Sequence, residues 1–165
     1  MYNLYDKISH PSHGLCEVAE ICDRLNANND EKTTYYKLIP QCGAETLIYV
    51  PADRAEMIGL RSLITKEEAH SLINSLSDSK EDWISNVSAK QKKYKSLFLT
   101  NTLENLLESL SFIGAIIRHN ETKTLGLNDK NMLANLENKV MSELAFVLEI
   151  TVAEAIQQAE DLILS

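Results

Sequence analysis

Thr46-Leu47-Ile48-Tyr49-Val50-Pro51-Ala52-Asp53-Arg54-Ala55-Glu56-Met57-Ile58-Gly59-Leu60-Arg61-Ser62-Leu63-Ile64-Thr65-Lys66-Glu67-Glu68 is where the chain changes character. Thr46 to Val50 is a short apolar run stopped by Pro51, the pattern of a strand. Thr65 with Glu68 spells a capping box, in which each residue satisfies a backbone N–H near the other, and it predicts a helix to about Leu76. Gly59 divides the two patterns. Before it the chain reads as strands and after it as helices.

Working back from Thr46, Leu15–Cys22 alternates loosely between apolar and polar residues, and Tyr35–Ile39 is rich in aromatic and apolar ones. Both read as strands. Asn26–Asp30 is a polar loop, and Gln41–Ala44 is a turn joining two strands. All three prolines and all three cysteines lie in this part. Three to five short strands suit a small SH3-like barrel rather than a large sandwich.

Working forward, a second helix is expected over about Ser88–Leu99, and Thr102 opens a third. That third helix carries Leu103, Leu106, Leu107, Leu110, Ile113 and Ile117 on one stripe. Asn128 is the expected N-cap of a fourth, which carries Met132, Leu133, Leu136, Val140, Leu144, Val147 and Leu148. Thr151 with Glu154 is a second capping box and starts a last helix to about Leu164. The fold class expected is α+β: a β domain over residues 1–62, then an all-α helical bundle over 63–165.

The 165 residues are 44% hydrophobic and 24% charged, enough for one ordinary domain or two small ones. Sixteen basic against twenty-four acidic residues leave a net charge of −8, which argues against coating nucleic acid by bulk charge. No run approaches eighteen apolar residues, and the N-terminus lacks a charged and an apolar signal region. Three cysteines do not make a disulfide framework. A reduced, intracellular protein is expected.

Motifs for nucleotide, zinc-peptidase or serine-hydrolase chemistry are missing. His10, His13, Cys16 and Cys22 are possible zinc ligands within thirteen residues. On a regular strand Cys16 and Cys22 would share a face but sit roughly 20 Å apart, too far for one ion unless the chain reverses. The other reading is two small buried hydrophobes. Glu104 and Glu108 suit a solvated face, and adjacent Glu160 and Asp161 diverge on a helix. His70 and His119 stand alone. No catalytic constellation, cofactor site or small-molecule substrate is expected.

Trp83 is the one tryptophan, in the polar stretch Glu81–Asn86. Downstream come Lys90, Lys92, Lys93 and Lys95. Residues 80–95 hold five lysines and two acids, a local +3. An exposed flat ring beside lysines suits a nucleic-acid groove, with ammonium groups on phosphates and the ring at a base step. The alternative is a ring anchoring the core and lysines facing solvent.

Val50–Glu68 resembles the signature of the CarD/CdnL family of bacterial transcription regulators. Asp6–Gly14 is similar to that family's opening. Leu127–Leu133, with Ser142-Glu143-Leu144-Ala145 after it, resembles its penultimate helix. The resemblance implies a Tudor-like N-terminal domain that binds the β subunit of bacterial RNA polymerase, of a type shared with the transcription-repair coupling factor. It also implies a helical domain on promoter DNA at the upstream edge of the melted region, where a tryptophan wedges into the minor groove and stabilises or tunes the open complex.

By position, Arg24 and Tyr49 fall at the polymerase contact, Trp83 at the wedge, Lys92, Lys93 and Lys95 at the basic run, and Lys130 at a phosphate contact. Tyr49 stands where one branch has Arg, Tyr5 replaces a Gly, His10 a Tyr, and Asn131 a second base. Thr46, Leu47, Ile48 and Tyr49 form the expected docking edge, open to pairing with a polymerase strand. The location implied is cytoplasmic and nucleoid-associated. The alternative function is a protein-only polymerase adaptor.

Overall fold

A computed structural model describes residues 1–43 and 45–165; Ala44, the last residue of the expected turn, lies outside the described residues. Five strands come first: β1 (Lys7–His10), β2 (Gly14–Leu25), β3 (Lys32–Pro40), β4 (Ile48–Pro51) and β5 (Arg61–Ser62). They form one antiparallel sheet in the order β4-β3-β2-β1-β5. The helices follow: α1 (Ala55–Ile58), α2 (Lys66–Asn74), α3 (Val87–Ser96), α4 (Leu103–Thr122), α5 (Leu127–Leu148) and α6 (Val152–Leu164). The class is α+β.

The expected barrel does not close. β4 and β5 are the two ends of the sheet and do not pair. The chain between them coils into a 3₁₀ turn, Ala52–Arg54, and then α1, instead of extending along either edge. Gly59 ends α1 at φ 105°, a left-handed conformation that glycine adopts without steric cost.

Sequence parity also fails at one point. Val18 pairs with Leu38 but Glu20 pairs with Lys37, so a bulge shifts β2 by one residue. Cys16 is fully buried on the inner face, while Cys22 pairs with Tyr35 on the outer face. The two thiols do not share a side of the sheet. The inner face of the sheet packs Ile8, Cys16, Val18, Tyr36, Leu38 and Val50 with Ala55 and Leu60.

Helix starts follow local chemistry. Thr65 and Thr151 form the two capping boxes. Asn86 and Thr102 each accept a backbone N–H in the first turn of α3 and α4. The expectation for Asn128 is wrong: α5 begins at Leu127 behind Gly126, with no side-chain cap. On α4, Leu106, Leu110, Ile113 and Ile117 are buried, while Leu103 and Leu107 are each 42% exposed. These two lie toward the rim of the stripe at 100° per residue. The helical core joins these residues to Leu72 and Ile73 of α2, Leu136, Val140 and Leu144 of α5, and Ala155 and Ala159 of α6.

A polar seam ties the sheet to the helices. The Arg61 guanidinium donates twice to Glu143, at 2.7 and 2.8 Å, and Glu143, fully buried, also accepts the Ile64 N–H at 2.9 Å. Arg61 Nε donates to the Asn101 carbonyl at 2.6 Å, and the Asn101 amide donates to the carbonyls of Ser9 and Gly59. The β1–β2 turn lies directly on α5. Leu15 N–H donates to Ser142 Oγ, and a Cβ on Gly14 (φ 67°) would fall against the Lys139 carbonyl and 2.8 Å from Ser142 Oγ. Glycine is therefore required there by both conformation and space. This contact explains why α5 is buried almost all round between Lys139 and Ala145 rather than along one stripe.

Candidate functional site

The outer face of the sheet follows from the register. Opposed residues of an antiparallel pair share a face, so Arg24 and Cys22 of β2, Tyr35 and Lys37 of β3 and Tyr49 of β4 lie together. The Arg24 guanidinium sits 4.1 Å from the centre of the Tyr49 ring. Arg24 is exposed, Tyr49 is 38% exposed, and Arg24 has no carboxylate within 4 Å among the described residues. Two residues twenty-five positions apart thus form one cation–π unit with both members accessible. Next to it β4 offers an unpaired edge. Only Ile48 and Tyr49 of the expected docking segment are in the strand; Thr46 and Leu47 precede it, with Leu47 55% exposed. The accessible edge is shorter than the sequence suggested.

The tryptophan cluster is built differently. Trp83 lies in the irregular segment before α3 and is only half-buried, packed against the helical core. The ring stacks flat on His119 of α4, with centroids 3.9 Å apart and planes within 2°. The Lys90 ammonium stands 4.3 Å from its centroid. Lys90 is 7% exposed and pairs with Asp129 at 2.6 Å. So the indole is not bare, and the buried Lys90 ammonium is paired with Asp129 beside the ring.

The other lysines divide. Lys93 reaches Glu108 of α4 at 3.4 Å. Lys92, Lys95 and Lys130 are exposed and have no carboxylate within 4 Å among the described residues. Lys92 and Lys95, three apart on α3, share a side of that helix. Lys130 sits in the first turn of α5, thirty-five positions further on.

The possible zinc ligands do not converge, and no three His, Cys, Asp or Glu side chains form a metal site among the described residues. Burial pushes the Cys16 thiol up to about 12, so it stays protonated. Burial, with help from His13 and Lys139, holds His10 down to about 4. His10 Nδ1 accepts the Ser12 N–H at 3.1 Å, a turn-forming role.

Sequence reasoning missed three residues. Glu143 was visible as a charge inside the apolar run Val140–Ala145, a sign of a buried ion pair. Its partner Arg61 had no local signal. His119 stood alone in the sequence and is the stacking partner of Trp83.

Residues 2–64 match the family model described as the CarD-like/TRCF RID domain. That span covers all five strands and ends at Ile64, so Trp83 and every lysine of the basic run lie outside it. No curated protein matches the chain.

Proposed function

With residues 2–64 belonging to the CarD-like/TRCF RID family, an RNA polymerase-interacting domain, we propose that the chain is a polymerase-docked transcription regulator whose sheet binds the β subunit of the enzyme. The observation that carries this reading is the match falling on a sheet with a free β4 edge beside an accessible Arg24–Tyr49 pair. Ile48 and Tyr49 would hydrogen-bond a polymerase strand through their backbone, and the Tyr49 ring with Arg24 would supply side-chain contact. The RID class is an interaction domain, and no catalytic step is invoked.

In the same proposal residues 1–62 are the polymerase module and 63–165 a helical bundle held over promoter DNA. Docking would raise the local concentration of that module to roughly millimolar, so weak DNA contacts suffice in a −8 chain. Trp83 would meet the minor groove by its exposed part, with Lys92, Lys95 and Lys130, and Lys93 when released from Glu108, on phosphates. Leaving His119 and Lys90 entirely would cost the ring about 1–2 kcal/mol. The wedge stabilises the open complex only if it binds that state better than intact duplex. A preference of about 1.4 kcal/mol would change the open-to-closed ratio tenfold.

The second reading is a protein-only adaptor. It is favoured by the stacked Trp83, the buried Lys90–Asp129 pair and the Lys93–Glu108 pair, which leave few groups free for DNA. Trp83→Ala separates the two. Unaltered polymerase binding with a shorter open-complex lifetime supports DNA contact; an unaltered lifetime supports the adaptor. Loss of polymerase binding by wild-type protein sinks both.

A further inference from the structure

A cleft of about 630 Å³ opens where the β1–β2 turn and the segment after β3 meet α3 and α5. Its volume is in the range of small-molecule sites. Tyr94 and Phe98, one helical turn apart, line it with aromatic surface, their rings 5.0 Å apart and edge-on. Three polar side chains reach it without a protein hydrogen bond or ion pair among the described residues: the His13 imidazole, the Asn138 amide and the exposed Lys95 ammonium.

Lys139 forms part of the same wall and is 2% exposed. Its ammonium donates to the Leu97 carbonyl and to Asn105 Oδ1, and no carboxylate lies within 4 Å of it among the described residues. Glu143, whose charge it feels, is held by Arg61. Burial draws its pKa down to about 8, which leaves it mostly protonated at neutral pH. This buried ammonium, held by Leu97 and Asn105 and 5.1 Å from the centre of the Phe98 ring, lies behind the apolar wall of the cleft, with Lys95 at its rim. In an acidic protein this is a local positive field, complementary to an anion carrying a flat ring.

We propose that this cleft binds a free mononucleotide, its base against Phe98 and Tyr94 with the Asn138 amide at the base edge, and its phosphate toward Lys95 and His13. The occupant would touch the β1–β2 turn and α3 and α5 together, so it would bear on how the sheet is held against the helices. The proposal does not rest on the polymerase reading, and its test needs no polymerase.

The test is an NMR titration of the full, isotope-labelled chain with AMP and with UMP, using inorganic phosphate and adenosine as controls. Saturable binding of either nucleotide, with the Asn138 side-chain amide among the shifted signals, is expected. Lys95→Gln, at an exposed position, and Asn138→Leu should each weaken it about tenfold, the loss expected for one charge-assisted or buried polar contact. Phosphate and adenosine should each bind at least about tenfold more weakly than the nucleotide. No saturation by either nucleotide at millimolar concentration overturns the proposal. So does phosphate binding as tightly as AMP, or shifts confined to the surroundings of Trp83 and Lys130.

Discussion

Arg24 and Tyr49 meet on the outer face of the sheet and both remain accessible, whereas Trp83 and Lys90 meet inside a four-residue knot with His119 and Asp129. Each is an aromatic ring beside a cation. One pair stays accessible and the other is packed into the fold. The difference lies in what surrounds each ring. The sheet has a free edge at β4, and among the described residues Arg24 and Tyr49 both stay exposed on its outer face. In the helical region α3 supplies Lys90 and α4 supplies His119 to the Trp83 ring, and Asp129 at the start of α5 pairs with Lys90. A shared residue type is therefore a weak guide to a shared role, and the sheet is the stronger claimant to a docking surface.

The sharpest way to break this contrast is to cut the seam that joins the two regions. Arg61→Ala would leave Glu143 buried and unpaired, and should cost about 3–5 kcal/mol in urea unfolding. A loss below about 1 kcal/mol would mean that sheet and helices hold together without it.

The regions should also answer pH in opposite senses. His10 of β1 has its folded pKa near 4, below the ordinary 6.5, because burial penalises imidazolium. The unfolded chain then binds more protons between those values. Its contribution is complete above about pH 6.5 and is lost as pH falls toward 4, by up to about 3 kcal/mol at 1.36 kcal/mol per unit. His10→Gln should flatten that acid loss in urea midpoints taken from pH 4 to 7. In the helices, burial and then Glu160 raise Glu137 to about 7 from 4.5. Here the folded chain binds more protons in the interval, so stability is present below pH 4.5 and is lost as pH rises to 7. After discounting its partial exposure, Glu137→Gln should stabilise by about 1 kcal/mol at pH 8 and change little at pH 4. An equal effect at both pH values would contradict a buried carboxylate.

The smallest expected effect is on the open surface itself. Arg24→Ala and Tyr49→Ala should each shift thermal stability by no more than about 0.5–1 kcal/mol, the range of an exposed cation–π contact. A larger loss in either variant would make the pair structural, like the Trp83 cluster.

How much of this was legible depended on range. The capping boxes at Thr65 and Thr151 could be read because both partners lie within four residues. The strands around Leu15–Cys22, Tyr35–Ile39 and Thr46–Val50 were found by their local composition. Closure of the barrel could not be read, because it depends on residues 52–58 coiling rather than extending. The faces of Cys16 and Cys22 could not be read past the bulge at Val18–Glu20. For the site, Arg24 and Tyr49 were named by resemblance, but their contact needs the sheet register. Trp83 was singled out correctly as unusual, yet its environment is set by His119 and Asp129, 36 and 46 positions away. Arg61 and Glu143 lie in two segments that carry the family resemblance. Their pairing across 82 residues gives those segments a physical reason: they join the sheet to the helices.

The most direct measurement is the affinity of the full chain for RNA polymerase, for wild type, for the Arg24→Ala/Tyr49→Ala double variant and for Trp83→Ala. Wild type and Trp83→Ala should bind equally, and the double variant at least about tenfold more weakly, a loss of about 1.4 kcal/mol. Equal binding by all three proteins, or a loss confined to Trp83→Ala, would contradict docking through the outer face of the sheet.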